Sequence, residues 1–232
     1  MSLTELKKEI KKAAKPADAV ILQRFFKTGK REYGEGDKFV GIKVPVLRAI
    51  AKTFYLLQLN DLQELIVSPV HEERMISLFI LIHQFTKADD KQKEKIFKFY
   101  LKNTKTINNW DLVDLSAPQI VGGYLLDKER SILYKLAVSK SLWERRISML
   151  ATFTFVKAGN FNDTIEIAKI LLADKHDLIQ KAVGWMLREI GKRDMETEEE
   201  FLKEYCKVMP RTMLRYAVEK FPEDKRKFYM AK

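Results

Sequence analysis

The chain has 232 residues, 46% hydrophobic and 32% charged. That is enough apolar material to bury a substantial core, which excludes a disordered chain and points to a soluble globular protein. Lysine and arginine number 43 against 32 acids, a net charge of +11, which favours a polyanionic partner such as nucleic acid or an anionic membrane surface. A single cysteine, Cys206, excludes an internal disulfide and a cysteine zinc site; it lies in an amphipathic helical stretch and is read as inert. His71, His83 and His176 share no metal-ligand spacing and are read as structural or surface residues, so no metal or other cofactor is expected.

From the N-terminus onward the punctuation is helical. The opening MSLTELKKEIKKAA has no apolar core or cleavage site of the signal-peptide kind, and Ser2 with Glu5 reads as a capping box. Pro16, Pro45, Pro69, Pro210 and Pro222 suit first helical turns, and Gly29, Gly159 and Gly191 suit helix ends. Ser141 with Glu144 and Thr197 with Glu200 read as further capping boxes. Apolar residues recur at helical spacing almost throughout, so the expected fold is all-α, with roughly a dozen helices of about 10–18 residues. The longest apolar run, Met75 to Ile82, is too short to span a bilayer, and a cytoplasmic location without a membrane partner is expected.

Between the second and third helical stretches lies a glycine-rich segment, TGKREYGEGDK, from Thr28 to Lys38. It has no Gly-Lys-Ser/Thr ending and follows no strand pattern, so it is read as a flexible loop facing the polyanionic partner rather than a phosphate-cradling P-loop. Further along, Lys91, Lys93, Lys95, Lys98 and Lys102 mark a basic helix, solvated or touching phosphates, and the acid-rich Glu196 to Glu204 should face away from a polyanion.

A repeat runs through the chain. Glu73-Arg74-Met75-Ile76-Ser77-Leu78 matches Glu144-Arg145-Arg146-Ile147-Ser148-Met149, and more loosely Gln180-Lys181-Ala182-Val183-Gly184-Trp185 and Leu47-Arg48-Ala49-Ile50-Ala51-Lys52. Their spacing implies a unit of roughly 35 residues, within reach of helical hairpins, and an α-solenoid of HEAT-like repeats forming one domain over residues 1–232. Arg48, Arg74, Arg145 and Lys181 then either form a positive stripe on a concave, DNA-sized inner surface or belong to ordinary solvated faces.

The stretch Asn108-Asn109-Trp110-Asp111-Leu112-Val113-Asp114 sets an indole and two acids side by side in a basic chain. With Asn109 as N-cap, Trp110 opens a helix and Asp114, four residues on, shares its face. Asp111 points elsewhere and suits the positive end of the helix dipole. Asp114 has apolar neighbours, Val113 and Leu115. Either it pairs with an arginine of the next repeat, or it faces a groove where positive charge develops in a reaction.

Trp110-Asp111-Leu112-Val113-Asp114, Trp143-Glu144-Arg145-Arg146, the segment from Ile179 to Glu189 containing KAVGWMLRE, and Gly41-Ile42-Lys43-Val44-Pro45 with Arg48 resemble, in order, segments of the AlkD family of alkylpurine DNA glycosylases. The resemblance implies a HEAT-like solenoid that cradles duplex DNA and hydrolyses the N-glycosidic bond of cationic N3- or N7-alkylated purines such as 3-methyladenine and 7-methylguanine. It works without a base-flipping pocket and without a metal. By position it implies that Trp110, Asp114 and Trp185 form the catalytic cleft, that Arg146 holds the DNA backbone beside it, and that Arg188 makes a further DNA contact. Arg145, Lys181 and Arg48 complete the expected DNA-binding set. The protein is then a monomer whose partner is double-stranded DNA with alkylated bases, bound in the nucleoid.

Trp185 also has a simple core-packing reading, because the matching repeat positions are Leu78 and Met149; Trp143 keeps the core reading outright. Three features depart from the family pattern: Phe25 where the best-described branch has a tyrosine, so that no hydroxyl is expected there, Val44 for a polar residue, and the long 29–38 loop. The competing function is a HEAT-like module that binds nucleic acid or protein without catalysis.

Overall fold

The computed structural model describes Met1–Ala231, and its chain contacts gather into two compact units, Met1–Ser116 and Ala117–Lys232. The first holds α1 (Leu3–Ala13), α2 (Pro16–Phe25), α3 (Val44–Thr53), α4 (Leu59–Ile66), α5 (His71–Lys87), α6 (Asp90–Lys102) and most of α7 (Trp110–Ala117). The second opens on a π-helical turn, Pro118–Gly122. It continues through α8 (Gly123–Leu125), α9 (Ser131–Ala137), α10 (Leu142–Ala151), α11 (Phe153–Lys157), α12 (Asn162–Ile170), α13 (Asp177–Gly191), α14 (Met195–Tyr205), α15 (Arg211–Ala217) and α16 (Glu223–Met230). Among the described residues the only β geometry is an isolated bridge, Lys38 to Val70. The all-α expectation holds, although many helices are shorter than foreseen. None of them is long and apolar enough to cross a membrane.

Within the first unit α5 is the central helix, almost wholly buried and packed on α3, α4 and α6. In the second, α13 takes that place against α10, α14 and α15, and α9 packs on α10. The repeat seen in the sequence is reproduced bond for bond. Ser77 Oγ donates to Leu62 O at 3.0 Å, and Ser148 Oγ donates to Leu133 O at 2.7 Å, each reaching fifteen residues back to the preceding helix. Arg74 Nη1 donates to Ser68 O at 2.7 Å and Arg145 Nη1 to Ser139 O at 3.0 Å, each six residues back. A short polar residue thus ties each hairpin, and an arginine closes the turn that enters its second helix. In the third copy the position is Gly184, where an added Cβ would lie 2.3 Å from Met213 O, so α13 and α15 approach too closely for any side chain.

The local signals hold in part. Ser141 caps α10 without closing a box, because Glu144 bonds to Ser139. Pro210 and Pro222 are the N-caps of α15 and α16 rather than first-turn residues, and Gly29 lies in the loop beyond the end of α2. Ser2 and Glu5 form the full capping box, and Pro16 and Pro45 sit in first turns. Thr197 is not a cap: α14 begins earlier, with Asp194 Oδ1 accepting from Thr197 N–H at 3.2 Å, because an acid at the cap outcompetes a hydroxyl inside the first turn. Pro69 lies before α5, in the turn preceding N-cap Val70.

One buried acid, Glu198, ties the second unit's stability to pH. Glu198 on α14 packs over Gly191, where a Cβ would meet its carboxyl, and its Oε1 has no hydrogen-bond partner. Burial pushes its pKa up to about 9, offset only in part by the charge of Arg188, and it is neutral at pH 7. A pKa raised on folding stabilises most below the unfolded value near 4.5, and that contribution is lost as pH rises toward about 9. Urea unfolding of the wild type between pH 5.5 and 8 should show stability falling by about 1.4 kcal/mol per pH unit from this group, and Glu198→Gln should abolish that part of the slope.

Candidate active site

The site in the first unit grows from the start of α7. The structure begins this helix at Trp110, as the sequence implied; Asn109 Oδ1 accepts from Trp110 N–H at 2.8 Å, and Val113 N–H donates to Asn109 O at 3.2 Å. Trp110 and Asp114, four residues apart, are both partly exposed and share one face. Burial holds the phenol of Tyr100 well above the usual tyrosine range; the hydrogen bond to Ser116 lowers it in part and the Asp114 charge adds a smaller rise. That phenol is hydrogen-bonded to Ser116 Oγ at 2.9 Å.

Asp111 does more than face the helix dipole. It is 7% exposed, and its Oδ2 lies 2.9 Å from His71 Nε2, while His71 Nδ1 lies 3.3 Å from Asp37 Oδ2. Both ring nitrogens meet oxygens that only accept, so both carry hydrogen and His71 is an imidazolium. Arg74 Nη2 donates to Asp37 Oδ1 at 2.6 Å, and Asn109 Nδ2 donates to Asp37 Oδ2 at 3.4 Å. Burial pulls the His71 pKa down, but the charge and hydrogen bond of Asp111 and the bond to Asp37 outweigh it and leave it raised. Burial likewise pushes Asp37 up, and His71 and Arg74 more than reverse this, leaving it below the usual carboxylate range. Two cations and two anions therefore close on one another out of water. The sequence offers no local signal for this, because Asp37, His71 and Asp111 are 34 and 40 residues apart along the chain.

Aromatic rings continue the assembly. His71 stacks on Phe39 at 4.5 Å between centroids, Phe39 on Phe26 at 5.0 Å, and Phe26 on Trp110 at 5.3 Å. Phe25 meets the indole edge at 6.1 Å. The indole has a hydroxyl partner in the loop: Trp110 Nε1–H donates to Tyr33 Oη at 3.3 Å. Tyr33 belongs to the glycine-rich loop, which is a run of hydrogen-bonded turns rather than the featureless segment its composition suggests. Glu32 Oε2 accepts from Gly29 N–H at 2.7 Å and Glu35 Oε2 from Arg31 N–H at 2.8 Å. Beyond it, buried Glu72 accepts the backbone N–H groups of Val40, Gly41 and Ile42 at 3.1, 2.8 and 3.2 Å. Gly41 has φ +85° and a Cβ there would lie 2.0 Å from Lys15 O, so only glycine serves.

In the second unit Trp185 is partly exposed on α13, whereas the repeat equivalents Leu78 and Met149 are 1% and 0% exposed. Its Nε1–H donates to Glu189 Oε1 at 3.2 Å, one turn along the helix, and Phe153 lies 5.9 Å away, tilted. Trp143 is buried, in keeping with the core reading.

The basic residues are placed differently from one another. Arg48 is exposed, its guanidinium 4.3 Å over the Phe79 ring. Lys181 reaches solvent while paired with Asp177 at 2.8 Å. Arg145 Nε donates to Asp174 at 2.6 Å, Arg188 pairs with Glu219, and Arg146, 5% exposed, donates to Leu178 O. Arg74 is buried in the ionic cluster, which removes it from the positive stripe considered for the repeats. Of that stripe, Arg48 presents its charge outward, while Lys181 and Arg145 share theirs with Asp177 and Asp174. Among the described residues no three His, Cys, Asp or Glu side chains gather into a metal-binding group.

Residues 6–221 match the family described as DNA alkylation repair enzyme, and the chain belongs to that family. Its fold is similar to that of a structure described as a predicted DNA alkylation repair enzyme from Enterococcus faecalis, with a TM-score of 0.69 and 17% identity over 90% of this chain and 97% of that one. It is also similar to AlkD2 from Streptococcus mutans, with a TM-score of 0.58 and 18% identity over 94% of this chain and 99% of that one. A third likeness is to smu.31 from Streptococcus mutans UA159, with a TM-score of 0.53, 17% identity and coverage of 95% and 99%. No curated protein matches the chain.

Removing the charge at the centre of the ionic cluster tests its weight. Asp37→Asn leaves Arg74 and His71 buried with too little counter-charge, and denaturant unfolding should show a loss of about 3–5 kcal/mol. A loss below about 1 kcal/mol would mean that water or a neighbouring group takes over the role.

Proposed function

We propose that the protein is a monofunctional DNA glycosylase that removes cationic N3- and N7-alkylated purines from duplex DNA. The observation that carries this reading is Asp114: in a chain of the DNA alkylation repair family, it stands partly exposed on the same face of α7 as a partly exposed indole. The contact with the buried ionic cluster on this helix is made by Asp111.

Alkylation at N3 or N7 turns the purine into a cationic leaving group, so the glycosidic bond breaks with little help from a general acid. Positive charge moves to the deoxyribose as an oxocarbenium ion. The Asp114 carboxylate stabilises that cation and orients or deprotonates the attacking water, as a carboxylate does in glycoside hydrolysis. At about 4 Å and an effective dielectric near 20 the attraction is roughly 4 kcal/mol. Realised mainly in the transition state, this corresponds to about a thousandfold in rate. Trp110, partly exposed, presents its indole to the cationic sugar or base, and Trp185 is assigned the same role, each worth about 0.5–2 kcal/mol. Water is the nucleophile, an abasic site is the product, and the reaction calls for no covalent lysine intermediate. A DNA substrate places the protein in the cytoplasm, on the nucleoid.

A second reading is a non-catalytic helical-repeat module. Arg145, Arg146 and Arg188 already spend guanidinium donors on Asp174, Leu178 O and Glu219, which favours a weak grip on phosphates. Release of 7-methylguanine and 3-methyladenine from methylated duplex DNA, followed by chromatography, separates the two. The enzyme reading expects release by the wild type and a loss of about 10²–10³-fold in Asp114→Asn with DNA affinity retained. No release above the spontaneous rate by the wild type would leave the module reading.

A further inference from the structure

A second cationic surface lies in the first unit, on the groove between α3 and α5. It is lined by Arg48 and Lys52 from α3 and by Phe79, Ile82, His83 and Thr86 from α5. No carboxylate lines it. One of its cations, and another beside it, are held by aromatic faces rather than by acids: Arg48 in the groove lies 4.3 Å over Phe79, and Lys87, next to the groove at the end of α5 where its charge reaches His83, lies 5.1 Å over Tyr55. Tyr55 in turn meets the His83 ring edge-on at 5.0 Å. Stacking on an aromatic ring fixes a cation's position without neutralising it, so the groove carries full positive charge toward solvent. Arg188 and Arg145, by contrast, are ion-paired within the protein.

We propose that this groove is a phosphodiester-binding site, in which Arg48, Lys52 and Lys87 hold the DNA backbone and His83 makes the closest phosphate contact. The inference rests on the DNA-binding part of the proposed function and extends it to three residues, Lys52, His83 and Lys87, to which sequence reasoning assigned no DNA contact. It has a consequence for pH. Partial burial first, and then the charges of Lys87 and Lys52, hold His83 below the ordinary histidine pKa, so the ring is neutral at pH 7. The groups facing it are Arg48 and Lys52 from α3, Tyr55 from the turn that follows, and Lys87 from α5. A phosphate in the groove screens those cations and accepts a hydrogen bond from the imidazolium, so binding takes up a proton. By linkage, lowering the pH must tighten binding.

The test is the affinity of the full chain for an unmodified fluorescent duplex, measured by anisotropy at pH 5.5 and 7.5 over a series of salt concentrations. The wild type should bind about three- to tenfold tighter at the lower pH. His83→Gln should lose that gain, and His176→Gln, altered outside the groove, should keep it. Lys52→Gln and Lys87→Gln should each reduce the slope of log affinity against log salt by about one. Wild-type binding left unchanged by the His83, Lys52 and Lys87 substitutions would overturn the groove assignment while the DNA-binding reading stands. No binding by the wild type at either pH in low salt would remove that reading and the proposal with it. The His83 ring proton, followed by NMR, should respond to the duplex. A response to inorganic phosphate alone would assign the groove to a free phosphate and overturn the proposal.

Discussion

The first unit depends on one closed set of charges: His71 between Asp37 and Asp111, with Arg74 on Asp37. Any one of these groups alone in the interior would cost several kcal/mol, and together they balance. What they gain is less stability than position. Asp37 ends the glycine-rich loop, His71 opens α5, and Asp111 sits in the first turn of α7, so a single network fixes where three separate segments meet. The chain cannot shift α7 by one residue without breaking the His71–Asp111 contact.

From that fixed point the rest of the site follows. The imidazolium lies at one end of a column of rings through Phe39 and Phe26 to Trp110, which sets the plane of the indole. Tyr33 fixes its edge. Asp114, one helical turn beyond Trp110, inherits its direction from the same helix start. Two acids three residues apart on α7 thereby acquire different surroundings: Asp111 is sealed and paired with a cation, and Asp114 is partly exposed.

What could be read in the sequence was what is local or periodic. The helix start at Trp110 was legible from Asn109, and the hairpin repeat from the matching Glu-Arg-x-Ile-Ser segments, whose serines make the same bond in both copies. The glycine of Gly-Ile-x-x-Pro was legible as part of a motif, although its reason, a positive φ against α2, was not. Long-range pairing was illegible. Nothing near His71 announces Asp111, and nothing near Arg74 or Arg145 announces that the repeat arginine closes a turn instead of reaching solvent. Nor does anything near Trp110 announce that its Nε1–H finds the hydroxyl of Tyr33, 77 residues away in the loop.

The division of labour between the two carboxylates of α7 is the central claim, and thermal unfolding of Asp111→Asn beside Asp114→Asn tests it most directly. Leaving His71 short of its counter-charge should lower the midpoint by many degrees in the first variant, since about 3 kcal/mol corresponds to roughly 6–12 °C in a chain of this size. The second should stay within about 2 °C of the wild type. Equal losses in the two would contradict the account, because Asp114 would then be as much a part of the scaffold as Asp111.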